Sequence, residues 1–556
     1  MKLVTVSQMQ AIEKEADAGG LTYDQMMQNA GQGLADILLD LFADDVETLS
    51  VEPVETEVVG LVGPGNNGGD TLVAMTALLG EGWKARAYLI KRKKDDLVKQ
   101  FTEAGGEVIS GENAFEKLAE SIEVADVVLD GVLGTGFKLP LKKDVAEALA
   151  QVNDILDALD MAPLVIAVDC PSGVDCDTGE VAEETLYADL TVTMAAVKQG
   201  LLKLPAFEYV GELMVVDIGL SAAVNSFDEI ETEVAEEEFV AALLPERPLD
   251  SHKGTFGTAL IAAGSVNYTG AAVLAGEAAY RVGAGLVTLA VPAPLHGVLA
   301  GQFPEATWVL LPHEGGRVSE DASDVLAKNF ERATALLIGP GFGTETTTKV
   351  FIEDLLAEKS AQKKAAPRIG FVHEKSAGRN EAAANNIPPM IVDADGLKLL
   401  AQIKDWHVKL PALSILTPHP GEMSVLTGLS TEEIQEDRQT IASRFAKEWG
   451  HVVVLKGAFT VIASPDGRVT VIPVASPALA RAGTGDVLAG LITGLRAQGL
   501  DSFDAAVAGS WIHAQAGLYA ADDLGTTASV LALCPCGRRA GFGFRCDQRF
   551  GVTFTS

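Results

Sequence analysis

The feature that most constrains the fold is an alternation of continuous apolar runs with helical patterns. The first 220 residues contain six apolar runs that predict strands: Val58–Val62, Ala87–Ile90, Val127–Asp130, Leu164–Asp169, Leu190–Thr193 and Met214–Ile218. Strands that are buried on both faces are continuously apolar, whereas half-buried strands alternate apolar and polar residues. The sequence therefore predicts an α/β fold in which helices cover both faces of a parallel sheet.

The same alternation resumes after Gly257 and predicts a second α/β region. Its strand candidates are Ala259–Ala263, Leu286–Ala290, Leu336–Ile338, Ile391–Asp393, Ser414–Leu416 and Val452–Leu455. Long helices are predicted at Ala271–Val282 and Val487–Leu495. Near the start of the chain, Ser7 and Gln10 predict a capping box that opens the first helix.

Length and composition divide the chain into domains. Its 556 residues exceed the roughly 250–300 residues at which a single core stops growing. We predict a first domain over residues 1–220 and a second over residues 241–532. Glutamates crowd residues 221–240, which predicts an acidic linker, and residues 533–556 form an atypical tail rich in Cys, Arg and Gly.

Charge and cysteine content exclude several classes of partner. The formal net charge of −35 disfavours nucleic acid and anionic membranes. No apolar run approaches the roughly 20 residues that span a bilayer. The 5 cysteines are too sparse for the disulfide framework of a secreted protein, and no signal peptide is apparent, so we expect a cytoplasmic protein. An anionic substrate would need backbone amides, a helix N-terminus or a bound cation to bind here.

Three strand ends in the first half carry glycines and acidic residues. The turn Gly63–Asp70 follows the first strand candidate and precedes a helix predicted over Thr71–Leu79. Asp130 ends another strand candidate, and Asp169 ends a third and leads to Ser172. Ligands of open α/β sheets bind beyond the carboxyl ends of the strands, so we expect these segments to share one site. Taken singly, a glycine turn without a ligand and an aspartate that only caps a helix are the alternatives.

These segments resemble the NAD(P)H-hydrate epimerase family over roughly residues 1–220, as does the opening Met26–Gly31. The resemblance implies a Rossmann-like domain that inverts the hydroxylated carbon of hydrated NAD(P)H. It implies that Asp169 is the acid/base residue, with Lys198 near the site; a surface position is the alternative for Lys198. It implies K⁺ bound through Asn67, Asp130 and Ser172. The dinucleotide would be bound by Asn66, Asn67, Gly68, Gly69, Asp70, Gly134, Thr135, Gly136, Phe137, Lys138, Leu139, Pro140 and Asp169.

In the second half, Ala482–Asp486 precedes an apolar helix. Glycines at a helix N-terminus form an anion hole, and the aspartate is placed to take a proton from a hydroxyl beside a phosphate, which suits phosphoryl transfer. A simple helix cap is the alternative. Other glycine-containing segments agree with this interpretation: His252–Gly257, Gly264–Ala271, Gly339–Gly343, Thr417–Glu422 and Lys456–Thr460.

This order of segments resembles the ADP- or ATP-dependent NAD(P)H-hydrate dehydratase family, over roughly residues 240–532. The resemblance implies a ribokinase-like domain that uses ADP, by analogy with bacterial members, or ATP. Mg²⁺ is expected, with Glu422 as the one candidate ligand. The hydrate site would contain Ala271, Gly341, His419 and Asp486. The nucleotide would be bound by Lys456, Gly457, Ala458, Phe459, Thr460, Gly483, Thr484 and Gly485.

Together the two resemblances imply a bifunctional repair enzyme, with NAD(P)H hydrates and an adenine nucleotide as its small-molecule partners. The first domain would equilibrate the R and S hydrates, and the second would dehydrate the S form while ADP becomes AMP and phosphate. Two alternatives stay open: a ribokinase-like small-molecule kinase with an N-terminal binding domain, and a first domain that serves only for binding or assembly. We also expect a homo-oligomer.

Overall fold

The computed structural model describes residues 1–49, 56–111, 113–220, 224–357 and 387–527. The chain forms two compact units, Met1–Val234 and Ala235–Ser556. Both units are of the α/β class, as predicted. The tail predicted at residues 533–556 lies outside the described residues. Among the described helices, none has the length and apolarity that crossing a membrane requires.

The first unit is built on a parallel sheet of seven strands, and three further short strands of the unit lie outside that sheet. Its strands are β1 (Leu3–Val4), β2 (Glu57–Val62), β3 (Lys84–Leu89), β4 (Glu107–Ile109), β5 (Val127–Gly131), β6 (Leu164–Val168), β7 (Leu190–Met194), β8 (Val197–Lys198), β9 (Glu212–Val216) and β10 (Thr232–Val234). Its helices are α1 (Val6–Gly19), α2 (Tyr23–Leu49), α3 (Asn66–Gly80), α4 (Asp96–Glu103), α5 (Ala114–Glu123), α6 (Lys143–Asp157) and α7 (Asn225–Asp228). Seven strands pair in the order β4-β3-β2-β5-β6-β7-β9, and every pair is parallel.

The strand β2 explains why the apolar runs are continuous. Val58 and Val62 belong to one buried cluster, whereas Val59 and Leu61 belong to another. Successive side chains of a strand point to opposite faces, so both faces of this sheet are covered. The strand order reverses between β2 and β5, which opens a crevice at their carboxyl ends.

Two predicted helix starts in this unit are wrong. The capping box is formed by Thr5 and Gln8 rather than by Ser7 and Gln10: the Gln8 amide donates to Thr5 Oγ1 at 3.1 Å, and the Thr5 amide donates to Gln8 Oε1 at 2.8 Å. The helix starts earlier because β1 ends at Val4 and leaves Thr5 extended.

The second correction concerns the glycine-rich segment. Helix α3 begins at Asn66, not after Asp70, so Gly68 and Gly69 lie inside its first turns. A side chain on Gly68 would collide with the backbone of Gly63, and one on Gly69 would meet Met27. These glycines therefore permit close packing of the helix as well as a tight turn.

The segment predicted as an acidic linker contains regular structure. Within residues 224–240, the chain forms α7, β10 and the beginning of α8 (Glu237–Leu243). The boundary between the two compact units falls inside this segment, after Val234.

The second unit is built on a mainly parallel sheet. Its strands are β11 (Thr258–Ala262), β12 (Leu286–Pro292), β13 (Thr307–Leu311), β14 (His313–Glu314), β15 (Arg317–Val318), β16 (Ala335–Ile338), β17 (Met390–Val392), β18 (Ile415–Leu416), β19 (Val452–Leu455), β20 (Val461–Ala463) and β21 (Val469–Val471). Nine of them pair in the order β21-β20-β19-β18-β17-β16-β11-β12-β13. Only the pairs that contain β20 are antiparallel among these.

Helices cover this second sheet. After α8 they are α9 (Ala271–Arg281), α10 (Ala293–Leu299), α11 (Ala322–Ala327), α12 (Thr346–Leu356), α13 (Asp395–Leu400), α14 (Trp406–Lys409), α15 (Pro420–Thr427), α16 (Thr431–Glu436), α17 (Arg438–Trp449), α18 (Thr484–Ala497) and α19 (Ser502–Leu524). The apolar helix predicted from Val487 is confirmed as α18, which begins three residues earlier because Gly483, at φ 92°, ends the preceding turn. The strand order reverses between β11 and β16.

Candidate active sites at the two strand edges

A cavity of about 780 Å³ lies at the carboxyl ends of β2, β5 and β6 in the first unit. Most of the residues predicted to bind the dinucleotide line it: Asn66, Asn67, Asp70, Gly134, Thr135, Gly136, Phe137, Lys138, Pro140 and Asp169. Lys198 also lines it. Gly68, Gly69 and Leu139 do not, and the first two are packed within α3 as described above. The structure thus brings the separate sequence segments to one edge, as the strand-end argument predicted.

Asp169 is held in one orientation at this edge. Its backbone has a φ of 65°, an uncommon value that aspartate tolerates better than most residues. Oδ1 accepts hydrogen bonds from Thr193 Oγ1 at 3.2 Å and from the Met194 amide at 3.1 Å, and pairs with the Lys198 ammonium. Oδ2 faces Gly134, at 3.8 Å from the point where a Cβ would be. Oδ2 is therefore the oxygen that a substrate can reach.

Lys198 is 1% exposed, so the alternative of a surface lysine is wrong. Burial lowers the pKa of Lys198, but the charge and hydrogen bond of Asp169, together with the nearby Cys176 and Cys170, raise it by more in total. The ammonium also donates to Thr193 Oγ1 at 3.0 Å and to the Met194 carbonyl at 2.8 Å. The pair is therefore charged, and its geometry is fixed by the backbone beside it.

Asn67, Asp130 and Ser172 are linked through Leu133 beside the cavity, because the Leu133 amide donates to Ser172 Oγ at 2.9 Å and the Leu133 carbonyl accepts from Asn67. The Ser172 amide donates to Asp130 Oδ2 at 2.7 Å, and Ser172 Oγ donates to Asp130 Oδ1 at 2.5 Å. Asn67 Nδ2 donates to the Leu133 carbonyl at 2.8 Å, while Asn67 Oδ1 is buried and has no hydrogen-bond partner among the described residues. Buried polar atoms in folded proteins are normally satisfied, so an unpaired oxygen here points to a cation or donor that binds it. Amide, carboxylate and hydroxyl oxygens are the donor set that suits K⁺.

Asp130 does not cap a described helix, and neither does Asp169, so the helix-cap alternative is wrong for both. Burial raises the pKa of Asp130, and the two hydrogen bonds from Ser172 work against that rise. The carboxylate is thus directed inward, toward Ser172, rather than toward a helix end.

Two acidic side chains of the cavity were not given an acid/base role by the sequence. Glu13 lies on α1, and burial raises its pKa, with Lys198 lowering it and Asp169 raising it. Asp70 is largely buried, and its pKa is well above the usual range because of burial and then the charges of Asp169 and Glu13. Glu13 could have been found by its place one helical turn after Met9, which also lines the cavity.

In the second unit, the ends of three strands meet at one buried acid. Strand β17 leads to Asp393, β18 leads to Thr417, and β19 leads to Lys456. Asp393 is 1% exposed and accepts hydrogen bonds at Oδ1 from Thr417 Oγ1 and Lys456 Nζ, both at 2.7 Å. The sequence placed Asp393 at a strand end but assigned it no role, although the strand-end argument used in the first half applied equally.

Lys456 lies between two carboxylates. Its Nζ donates to Asp393 on one side and is 3.6 Å from Glu422 Oε2 on the other side. The His419 amide donates to Glu422 Oε2 at 3.0 Å, and His419 Nε2 lies 3.3 Å from Oε1. Burial lowers the pKa of Lys456, but Asp393 and Glu422 more than offset it, so the pKa is raised. Glu422 is thus engaged by His419 and Lys456, which argues against the predicted role as a Mg²⁺ ligand.

The glycine turn before α18 lies against this lysine. Lys456 Nζ is 3.6 Å from the point where a Cβ on Gly485 would be. The neighbouring Asp486 has a pKa raised to about 7, by burial and then by the charge of Asp393, with Lys456 lowering it and Asp395 raising it. A carboxyl with this pKa can take up or release a proton near neutral pH.

The remaining predicted residues form two local groups. Gly341, at φ 66°, packs against the first residue of α9, since a Cβ on it would lie 3.0 Å from Ala271 Cβ. In the segment after β19, the Gly457 amide donates to Thr460 Oγ1 at 3.3 Å, and Thr460 Oγ1 donates to the Gly457 carbonyl at 2.9 Å. Phe459 is buried between them with a φ of 54°. Within the described residues, no three His, Cys, Asp or Glu side chains form a group that could hold a metal on their own.

Known proteins match this chain along its length. The family described as YjeF-related protein N-terminus matches residues 23–200, and the family described as NAD(P)H-hydrate dehydratase matches residues 259–362 and 373–534. The bifunctional NAD(P)H-hydrate repair enzyme Nnr of Moorella thermoacetica is 34% identical over 541 residues, which cover 95% of this chain and 94% of that protein. The enzyme of the same name from Thermofilum pendens is 34% identical over 554 residues, 97% of each chain.

Among solved structures, the ADP/ATP-dependent NAD(P)H-hydrate dehydratase from Bacillus subtilis, co-crystallised with ATP and Mg²⁺, is 30% identical to this chain. The match covers 55% of this chain and 96% of that one, with a TM-score of 0.42.

Proposed function

Because this chain belongs to the family of bifunctional NAD(P)H-hydrate repair enzymes, we propose that it restores hydrated NAD(P)H in two steps. Residues 1–220 epimerise the R and S hydrates, and residues 241–532 dehydrate the S hydrate at the expense of ADP, with ATP as the alternative. Residues 221–240 connect the two domains. The observation that carries the proposal is the pair of strand-edge sites, each of which joins an aspartate to a glycine-lined turn.

In the first domain, the amide-rich start of α3 and the segment Gly134–Pro140 bind the dinucleotide. Oδ2 of Asp169 exchanges a proton with the substrate while the hydroxylated carbon is inverted, because Oδ1 is occupied by its three donors. Lys198 pairs with the carboxylate and holds it in place. Asn67, Asp130 and Ser172 would hold K⁺, which would supply positive charge beside a phosphate in acidic surroundings.

In the second domain, Asp486 takes the proton of the ring hydroxyl. The freed oxygen attacks the terminal phosphoryl group of ADP, and the bond to AMP breaks. The ring nitrogen then expels phosphate, and loss of a proton from the neighbouring ring carbon re-forms the double bond of NAD(P)H. Phosphate leaves far more readily than hydroxide, which explains the use of a nucleotide. The amides of the Gly483–Gly485 turn stabilise the transferred phosphoryl group, and Lys456–Thr460 bind the nucleotide, while Ala271, Gly341 and His419 line the hydrate site.

Mg²⁺ would be bound together with the nucleotide and would neutralise its phosphates. Mg²⁺ in phosphoryl-transfer sites is held by one or two carboxylates together with substrate phosphates, rather than by an all-protein cage. The second unit fits this mode, since its acidic side chains near α18 form no group of three that could bind a metal alone within the described residues.

The test is to incubate the purified protein with mixed hydrate epimers and ADP or ATP, and to follow the absorbance of the reduced nicotinamide. We expect recovery of both epimers, with AMP and phosphate formed from ADP. A phosphorylated product that accumulates without recovery of the reduced ring would instead indicate a small-molecule kinase. Recovery of the S hydrate alone, by a folded protein, would leave the first domain as a binding module. The homo-oligomer and the cytoplasmic location stay predictions.

A further inference from the structure

The side chains of Asp393, Lys456 and Glu422, here called the lysine clamp, form one connected group at the strand edge of the second unit. Lys456 Nζ is 2.7 Å from Asp393 Oδ1 and 3.6 Å from Glu422 Oε2. Both carboxylates are almost fully buried. An isolated carboxylate would be costly to bury, so each acid needs the ammonium group that lies between them.

The clamp is oriented from both ends. Thr417 Oγ1 donates to the same oxygen of Asp393, and the backbone amide of His419 donates to Glu422. Each carboxylate is therefore fixed by a partner other than the lysine. The ammonium is fixed in turn, although a lysine side chain is flexible when it is free.

The free side of the ammonium faces the glycine turn before α18. An ammonium group has three N–H donors, and the two carboxylates occupy two directions around it. Nζ lies 3.6 Å from the Cβ position of Gly485, and no other side chain comes within 4 Å of that position apart from the chain neighbours of Gly485. A glycine turn at the N-terminus of a helix of 14 residues is where a phosphate would bind.

We propose that Lys456 is a catalytic residue that contacts the phosphoryl group in transit, and that Asp393 is the positioning residue that aims it. The inference rests on the proposed dehydration, since it names a further part of the same site. Glu422 shares the task of Asp393 from the opposite side. The clamp matters most for the transferred group, where charge develops, and less for holding the nucleotide.

The clamp also sets the charge around Asp486. The charged groups that act on this carboxyl are Asp393 and Asp395, which are negative, and Lys456, which is positive. Loss of the Asp393 charge therefore makes Asp486 easier to ionise, and loss of the Lys456 charge makes it harder. A side chain that only supported the fold would not move the two variants in opposite directions.

The test compares Asp393→Asn and Lys456→Met with Asp501→Asn, an exposed N-cap of α19 that asparagine can also cap. With ADP and the S hydrate, we expect kcat to fall about 100-fold in both clamp variants, as for the loss of one donor to a developing charge. KM for ADP should change by less than about threefold in Asp393→Asn. The acidic limb of the kcat–pH profile should move to lower pH in Asp393→Asn and to higher pH in Lys456→Met.

An unchanged kcat in Asp393→Asn would overturn the inference. It would also be overturned if the acidic limbs of the kcat–pH profiles moved in the same direction in Asp393→Asn and Lys456→Met. If thermal unfolding shows that Asp393→Asn is unstable, Glu422→Gln is measured instead; it keeps an oxygen for the His419 amide, and its kcat should fall with KM for ADP unchanged. A higher KM with normal kcat there would mean a nucleotide-binding role only, and would also overturn it. Absence of dehydration in the unmodified protein would instead count against the proposed function.

Discussion

The Lys198 ammonium is bonded both to the carboxylate of Asp169 and to the backbone that positions it. Nζ donates to Asp169 Oδ1 and to the Met194 carbonyl, while the Met194 amide donates to the same carboxylate oxygen. The ring of contacts leaves Oδ2 as the accessible oxygen. Because this oxygen faces the cavity while Oδ1 is held by its donors, we expect Asp169 to act on the substrate through Oδ2.

The two aspartates should fail independently of each other. Asparagine keeps the shape of the carboxylate but carries no proton, so Asp169→Asn should slow epimerisation by about 10²- to 10⁴-fold and leave dehydration of the S hydrate intact. Asp486→Asn should do the reverse. Both rates are measured on separated epimers with ADP. Two folded variants that each lacked both activities would refute a model with two separate sites.

The rate of dehydration should rise with pH through about 7. Asp486 has a pKa of about 7 in the unliganded protein, and a general base must be ionised to accept a proton, so half-maximal kcat/KM is expected near that pH. The profile is measured with ADP and S hydrate below their KM values. Epimerisation by the same preparation is the internal control, since its proton acceptor has a different environment. A flat profile between about pH 5.5 and 8 would show that Asp486 is not the base.

Asp486→Asn should stabilise the second unit at alkaline pH. The folded pKa lies above the unfolded value of 3.8, so stability is fully present below pH 3.8 and is lost as pH rises through about 7. At about 1.4 kcal/mol per pKa unit, the ionised carboxylate costs roughly 4 kcal/mol at pH 8. Removing it should raise the unfolding temperature by several degrees at pH 8, and much less at pH 5. An equal change in unfolding temperature at pH 5 and at pH 8 would mean that the substitution acts through packing and not through charge.

Particular residues show how much of the fold and of the sites could be predicted from the sequence. The apolar runs located the strands because burial on both faces leaves a pattern that neighbouring residues share, as in Val58–Val62. Asp169 could be placed at the site because it follows directly after one of these apolar runs. The role of Glu13 was not predicted because it lies on a helix that is far from the other site residues in sequence. The role of Asp393 was not predicted because it depends on contact with Lys456, 63 residues later. The N-cap at Thr5 and the first helical residue Asn66 were not predicted because they depend on strand pairing and on glycine packing, which are tertiary effects.

Lys198→Met should destabilise the first unit. It removes the charge that pairs with Asp169 and takes one donor from each of three polar atoms: Asp169 Oδ1, Thr193 Oγ1 and the Met194 carbonyl. Breaking a buried pair by deleting one partner costs about 3–5 kcal/mol, and somewhat less here because Asp169 is partly accessible from the cavity. Lys99→Met, in an exposed pair on α4, is the matched control and should change stability by less than about 1 kcal/mol. Equal effects in urea unfolding would contradict the buried ion pair.

K⁺ should stabilise the first unit and speed epimerisation, because Asn67 Oδ1 is buried without a hydrogen-bond partner among the described residues and lies in the group that contains Asp130 and Ser172. A ligand that binds only the folded state raises stability with its concentration, so the unfolding temperature should increase when K⁺ replaces a large organic cation at constant ionic strength. Asn67→Ala should abolish that increase and the rate effect together. Asn329→Ala, which removes an amide bonded to the Val325 carbonyl in the second unit, should retain both. A K⁺ response that survived in Asn67→Ala would place the cation elsewhere.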